Sequence, residues 1–235
     1  MAIRPIFIPI TQNETQQLVK EIGIEFKWHP GMAPSQKKKN VEELHLAAKN
    51  LKYHQLLEVS TKSENKIGVM LSAFNLKLTT SYFSQLVSLE AAFQGSKVFE
   101  YGGPYHDLYS MDGSQIKKDR RLKESGKIKG FEFNGLKWGV NPKTAFYDWL
   151  YLNALSARKK LLPELLSFNG FSDIEFNPKK SINCQARSCA LAVGLIKRGL
   201  FEDALANRDY FIRLIESDSI HQHKYRKNSD SDLFL

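Results

Sequence analysis

Strands are predicted where apolar residues alternate with polar ones along the chain. Every second residue from Ile22 to Trp28 is apolar, so these side chains share one side of a strand. Asn134-Gly135 stands between two short apolar runs, which is a strong signal for a β-hairpin. The other predicted strands cover residues 5–9, 56–60, 66–80 and 171–176.

Helices are predicted where apolar residues recur three and four positions apart. The stretch from Pro142 to Leu155 is apolar around most of its circumference, so we expect it to form the central buried helix. Ser88 is a good N-cap for a helix that we expect to continue to about Phe99. The segment 111–130 is rich in Lys, Arg and Ser and predicts an exposed helix with a loop. The other predicted helices cover residues 11–21, 41–51, 162–168, 184–198 and 202–216.

Together these elements predict a helix-rich α+β fold, a single domain with a small sheet. The chain has 235 residues, of which 42% are hydrophobic and 25% charged, enough for one large soluble domain with a sizeable core. No apolar run approaches the roughly 20 residues that span a bilayer. The N-terminus lacks the sustained apolar core of a signal peptide. We therefore expect a cytoplasmic protein with no membrane partner.

The charge balance indicates a polyanionic partner. The formal net charge is +9 and the pI is about 9.4, and an excess of this size favours nucleic acid or a phosphorylated ligand. Basic residues also cluster in the sequence, although each cluster alone is typical of a solvated loop or helix end. The expected contacts with a nucleic-acid backbone are Lys37, Lys38, Lys117, Lys118, Arg120 and Arg121.

Common signatures of cofactor and metal sites do not occur in the sequence. Phosphate-loop, dinucleotide-binding and nucleophile-elbow patterns are absent. Cys184 and Cys189 match neither a zinc pair nor a redox motif, so we expect buried free thiols. We accordingly predict no cofactor and no metal.

One short polar set stands out on the helix expected after Ser88. Glu90, Gln94 and Lys97 follow at i, i+4 and i+7, which places a carboxylate, an amide and an ammonium on one helical face. Such a set can support cleavage of a glycosidic bond. A solvated helix face is the alternative interpretation of the same spacing.

An ordered series of motifs resembles the NADAR superfamily, whose best-known members are the YbiA-like N-glycosidases. The glutamate-to-lysine set has the family spacing, Glu-x-x-Phe-Gln-x-x-Lys. The matching segments are Ser72-Ala73-Phe74, Glu90 to Lys97, Trp138, the helix 142–155, Leu161 to Leu166, Asp173-Ile174-Glu175 and the loop Lys180 to Asn183.

Three departures indicate a particular branch of this superfamily. The Trp-Gly expected after the acidic residue is replaced by Phe176-Asn177-Pro178, and Ser-Asn-Phe has become Ser72-Ala73-Phe74. Residues 1–66 have no counterpart in compact members. These features are similar to the branch paired with DarT-type toxins, which attach ADP-ribose to guanine in DNA. We expect an N-terminal extension packed on the core (1–66), a catalytic domain (67–216) and a frayed polar tail (217–235) that carries His221 and His223.

The resemblance implies roles for the polar set. Glu90 would stabilise positive charge on the ribose and orient or deprotonate the attacking water. Lys97 would either hold the phosphates and ribose oxygens or attack the sugar as a neutral amine. Gln94 would orient one of the two. Trp138 would stack on a base or simply pack in the core. The remaining expected substrate-binding residues are Ser72, Phe74, Asp173, Glu175 and Asn183.

The function implied is an ADP-ribosyl hydrolase that removes ADP-ribose from guanine in nucleic acid and so acts as an antitoxin. DNA is favoured over RNA, ADP-ribose would be the product, and a cognate toxin is an expected partner. Two alternatives remain. One is a non-catalytic module that binds modified nucleic acid or the toxin. The other is an N-glycosidase that acts on a small phosphorylated metabolite of the riboflavin pathway.

Overall fold

The computed structural model describes the backbone of residues 1–31 and 33–231, and the burial of side chains up to Ser219. The strands are β1 (Ala2–Pro9), β2 (Val19–Phe26), β3 (Leu56–Glu58), β4 (Lys77–Thr80), β5 (Phe83–Ser88), β6 (Lys97–Phe99), β7 (Ile128–Phe133), β8 (Leu136–Trp138) and β9 (Gly170–Ser172). The helices are α1 (Pro34–Asn50), α2 (Lys66–Met70), α3 (Leu89–Gly95), α4 (Gly113–Lys118), α5 (Arg121–Glu124), α6 (Ala145–Ser156), α7 (Leu162–Leu165), α8 (Gln185–Lys197), α9 (Phe201–Ala206) and α10 (Arg208–Ser231). This mixture confirms the predicted α+β class.

The largest sheet contains strands from both sides of the domain boundary predicted at residue 66. Its strand order is β2-β1-β9-β3, in which β1 is antiparallel to β2 and β9 while β3 is parallel to β9. Strands β1 to β3 precede residue 66 and β9 follows it by about a hundred residues, so the sheet crosses the predicted boundary. Two smaller sheets pair β4 with β5 and β6-β7-β8 in order.

The core is built around α6 and α8. Leu150, Tyr151, Leu152 and Leu155 of α6 are fully buried, as expected for a helix that is apolar around its circumference. The predicted helix is thus observed, although it begins at Ala145 rather than at residue 142. The β-hairpin is also confirmed, because Asn134 and Gly135 both adopt positive φ (50° and 76°) as a type I′ turn requires.

Two predictions near the N-terminus are wrong. Residues 11–21 form no helix, because β2 begins at Val19 and pairs with Pro9 across the sheet. Residues 66–80 are not one strand, because α2 begins after Asn65, whose side chain accepts from the Ile67 amide. Gly68 lets α2 approach β3, since a Cβ there would lie 2.1 Å from the Glu58 carbonyl oxygen.

Two predictions about helix ends are also wrong. The helix after Ser88 ends at Gly95, and Lys97 begins β6 by pairing with Phe131. The predicted helix 202–216 is two helices, α9 and α10, separated at residue 207. The backbone of α10 continues to Ser231, within the segment 217–235 that was expected to be a frayed polar tail, and residues 232–235 lie outside the described residues. The side chains of His221 and His223 are not among those that the structure describes.

Candidate active site

Glu90, Gln94 and Lys97 form a chain of side-chain hydrogen bonds. Ser88 caps α3 by accepting from the Ala91 amide at 3.2 Å, which sets Glu90 in the first turn. The Gln94 amide then donates from Nε2 to Glu90 Oε1 at 3.0 Å, one helical turn away. Lys97 Nζ donates to Gln94 Oε1 at 2.6 Å. The single helical face predicted from the sequence is therefore wrong for Lys97, which reaches the same set from β6.

Lys97 is withdrawn from water at this site. Its Nζ lies 4.9 Å from the centroid of the Phe93 ring, and the side chain is half-buried. Burial lowers the pKa of the Lys97 ammonium, and the negative charge of Glu90 partly opposes this by raising it. The cation is thus held against an apolar ring and beside a carboxylate.

The segment Ser72-Ala73-Phe74 lies between α3 and the start of α8. The Ala73 carbonyl accepts from the Glu90 amide at 3.0 Å, and the Ala73 amide donates to Gln185 Oε1 at 2.8 Å. Phe74 is half-buried, and Lys117 Nζ lies 5.5 Å from its ring. Ser72 is fully buried and accepts from Asn75, so its side chain supports the turn instead of meeting substrate.

The structure separates the two acidic candidates, Asp173 and Glu175. Asp173 is only 7% exposed and accepts hydrogen bonds from the Glu175 amide and the Gln185 side chain. Burial, and then the nearby Glu58 carboxylate, raise the pKa of Asp173 to about 8. Glu175 is exposed and pairs with Lys37. Asp173 is therefore the acid connected to Glu90, through Gln185 and Ala73.

Tyr147 is a neighbour of both carboxylates that sequence reasoning missed. It is 6% exposed and packs edge-on against Phe93 at 5.1 Å. Burial raises the pKa of Tyr147 well above its usual value, and the charges of Glu90 and Asp173 add to that rise. Its position within an apolar helix gave no signal of this placement, because Tyr was counted there as a core residue.

Trp138 and Asn183 differ in how well they fit their predicted roles. Trp138 is 5% exposed and packs against Phe146 and Trp149, which fits the core-packing alternative, while stacking on a base stays a prediction. Asn183 precedes Cys184, the N-cap residue of α8. Its Oδ1 is buried and has no hydrogen-bond partner within the described part of the chain. The role of Asn183 toward a pyrophosphate stays a prediction.

The predicted basic contacts fall into two groups. Lys117 and Lys118 are exposed on α4, and Lys117 lies near the site through Phe74. The others face carboxylates of the protein. The pairs are Lys37 with Glu175, Lys38 with Glu64, Arg120 with Glu124, and Arg121 with Asp107 and Asp119.

Arg121 pairs with two carboxylates, which sets it apart in the second group. It donates to Asp107 at 2.6 Å and to Asp119 at 2.7 Å, and its guanidinium lies 4.5 Å from the Tyr105 ring centroid. These carboxylates raise the pKa of Arg121 still further. These contacts fix the loop between α4 and α5, so we expect Arg121 to contribute less to binding a phosphate backbone than Lys117.

The mixed fold and the ordered series of segments around Glu90 define a NADAR-type protein. A family model described as "DarT1-associated NADAR antitoxin" matches residues 2–225. The chain belongs to this family of antitoxins. The match includes residues 2–66, the segment without a counterpart in compact members. A search of curated proteins found no match. Within the described residues, no helix is long and apolar enough to cross a membrane.

Proposed function

We propose that the protein hydrolyses the N-glycosidic bond between ADP-ribose and guanine in nucleic acid, and thereby reverses the action of a cognate toxin. The observation that carries this proposal is the hydrogen-bonded chain of Glu90, Gln94 and a desolvated Lys97. Membership of an antitoxin family supports the biological role. The proposed hydrolysis rests on the arrangement of Glu90, Gln94 and Lys97.

The reaction needs a stabilised cationic sugar and a proton for the leaving base. As the bond from the anomeric carbon to guanine breaks, its electron pair goes to the guanine nitrogen and positive charge develops on the ribose. Glu90 stabilises that charge and takes a proton from the attacking water. Asp173, which remains protonated up to about pH 8, donates a proton to the departing nitrogen. Water oxygen then completes the anomeric centre of free ADP-ribose.

Lys97 supplies a fixed positive charge in the same arrangement. Gln94 holds its Nζ, and the Phe93 ring keeps water from one side. An ammonium in this position attracts the pyrophosphate or ribose oxygens of the substrate. Because burial also lowers the pKa of Lys97, the neutral amine is more accessible here than in water. A covalent route, in which this amine attacks the sugar, is therefore the alternative that a borohydride-trapping experiment distinguishes.

The formal net charge of +9 suits a nucleic-acid substrate, because basic side chains attract its phosphates. Lys117 and Lys118 are exposed on α4, and Lys117 contacts Phe74 at the edge of the site. Contacts of this kind position a phosphate backbone without reading its sequence. If the modified guanine lies in a duplex, its extrusion costs a few kcal/mol.

The test is to incubate the protein with DNA that carries ADP-ribosylated guanine and to measure released ADP-ribose by chromatography. Glu90→Gln and Lys97→Met are expected to lower the rate at least about a hundredfold each. Lys129→Met is the matched control, because Lys129 is exposed and pairs with Glu100 on the surface. No release by the unaltered protein would refute the proposal.

Two further measurements separate the alternatives. Full protection from the toxin by the Glu90→Gln/Lys97→Met double variant would favour a non-catalytic binder of DNA or toxin. Faster turnover of a phosphorylated riboflavin-pathway metabolite than of modified DNA would favour the small-molecule glycosidase. The proposal expects protection to be lost and DNA to be preferred.

A further inference from the structure

Glu58 stands at the end of β3 with its carboxylate inside the protein. The residue is 3% exposed. Its hydrogen bond with Ser172 joins two residues that lie 114 positions apart in the chain. It accepts three hydrogen bonds: from Ser60 Oγ at 2.7 Å, from Ser172 Oγ at 2.5 Å and from the Ile174 amide at 2.9 Å. A buried carboxylate is tolerated only with partners of this kind.

Two of these three donors flank Asp173 in the sequence. Ser172 and Ile174 are its immediate neighbours, so a single carboxylate binds the chain on both sides of the acidic residue. The parallel pairing of β3 with β9 places Glu58 opposite Ser172, and the Val59 amide donates to the Ser172 carbonyl at 2.8 Å. The backbone that presents Asp173 is thus fixed from the first 66 residues of the chain.

His45 of α1 extends this network by one residue. Its Nε2 lies 2.8 Å from Ser172 Oγ, and burial lowers the pKa of His45 to about 4. The imidazole is therefore neutral near pH 7. Because the Ser172 hydroxyl donates its only hydrogen to Glu58, His45 Nε2 carries the proton that Ser172 Oγ accepts.

We propose that Glu58 is a positioning residue that holds Asp173 in the active site. The inference rests on the proposed function, in which Asp173 protonates the leaving guanine. Glu58 acts on Asp173 through the backbone and through its charge, and it does not touch substrate. Through Glu58, residues 1–66 also contribute to the position of Asp173. The set of Glu90, Gln94 and Lys97 lies outside this segment and gives it no role.

Several charged or titratable groups face Asp173 besides Glu58. These are Tyr147 of α6, Cys184 at the start of α8, and Glu175 with its partner Lys37 of α1. Burial raises the pKa of Asp173 most, and the Glu58 carboxylate raises it next. Burial also raises the pKa of Glu58, but its hydrogen bonds from Ser172, Ile174 and Ser60 oppose that rise and favour the charged form of Glu58. Removing the charge of Glu58 while keeping its shape should therefore let Asp173 lose its proton at lower pH.

The experiment compares Glu58→Gln with the unaltered chain and with Glu202→Gln, an exposed glutamate of α9. The ¹³C resonance of the Asp173 carboxyl is followed against pH, without substrate, and kcat and KM are measured against pH on modified DNA. The expected result for Glu58→Gln is Asp173 titration at lower pH, an alkaline limb of kcat shifted the same way, and kcat at least about tenfold lower near pH 8. KM should stay within about twofold, and the control should change nothing.

The two readouts keep this inference distinct from the proposed function. Unchanged Asp173 titration in folded Glu58→Gln would overturn the inference, whether or not the protein is active. Absence of hydrolysis by the unaltered chain, together with a shifted titration, would overturn the function alone. If Glu58→Gln does not fold, Ser60→Ala replaces it. This variant removes one donor to the carboxylate, and a smaller titration change in the same direction is then expected, while no change refutes the inference.

Discussion

Asp218 holds the last helix on the core, and its loss should destabilise the protein. Its Oδ2 accepts from Arg187 at 2.6 Å, and its Oδ1 accepts from the Leu18 and Val19 amides at 2.8 and 3.3 Å. Asp218 is fully buried, and Arg187 is 7% exposed. The same guanidinium also pairs with Asp148 at 2.6 Å. One carboxylate thus connects α10 to α8 and to the start of β2.

The substitution Asp218→Ala removes three partners at once. Breaking a buried ion pair on one side costs about 3–5 kcal/mol, because the remaining charge is left without its partner. The second pair, with Asp148, keeps Arg187 from being isolated, so we expect the lower part of this range, about 3 kcal/mol. The Leu18 and Val19 amides also lose the carboxylate that accepts from them, which adds to the loss. For a chain of this size the expected fall in Tm is roughly 6–12 °C.

Urea denaturation followed by far-ultraviolet circular dichroism measures this loss. Asp209→Ala is the matched control on the same helix, because Asp209 is exposed and pairs only with its neighbour Arg208 among the contacts described for it. The control should change the free energy of unfolding by less than about 1 kcal/mol, since Asp209 is exposed and lies in the first turn of α10, where a carboxylate is worth about 0.3–1 kcal/mol. A loss below about 1 kcal/mol for Asp218→Ala would refute the reasoning, as would an equal loss in the control.

Three other predictions follow from the site and its charges. Borohydride added during turnover should leave the protein unlabelled if Lys97 acts as a fixed charge, whereas ADP-ribose trapped on that residue would establish the covalent route. Asp173→Asn should be more stable than the unaltered chain at pH 9 in thermal melts, because a raised native pKa of about 8 makes the carboxyl destabilising as pH rises from about 4 to 8. Lys117→Ala should weaken DNA binding and lower the slope of log K against log salt by about 1, while Arg121→Ala should leave the slope unchanged and reduce stability.

Sequence periodicity was sufficient for the elements that are locally determined. The hairpin at Asn134-Gly135 depends on two residues that tolerate positive φ, and α6 depends on a continuous apolar surface. The prediction of one strand over residues 66–80 was wrong because a short apolar run fits a buried helix as well as a strand. There, Asn65 caps a helical turn and Gly68 permits its close approach to β3. The Asn65 cap is a local contact of a residue type that favours N-caps, whereas the approach of Gly68 to β3 is a tertiary contact that the sequence does not show.

The site shows the same division between local and distant information. The contact of Gln94 with Glu90 follows from one helical turn, and spacing predicts it. The choice between Asp173 and Glu175 could not be made from sequence, because both are acidic and lie two residues apart. The structure distinguishes the two by burial, since Asp173 is 7% exposed while Glu175 reaches the surface and pairs with Lys37, and this is why the proposal assigns the acid to Asp173.

The largest sheet crosses the boundary predicted at residue 66. The sheet neighbours of β9 are β1 and β3, and both belong to the first 66 residues. A chain that starts at residue 67 would keep Glu90, Gln94 and Lys97, yet it would leave β9 without those partners and Asp173 without Glu58. The N-terminal segment therefore holds the backbone on both sides of Asp173, through the sheet and through the hydrogen bonds of Glu58 with Ser172 and Ile174. On the proposed function, it supplies part of the framework for the acid.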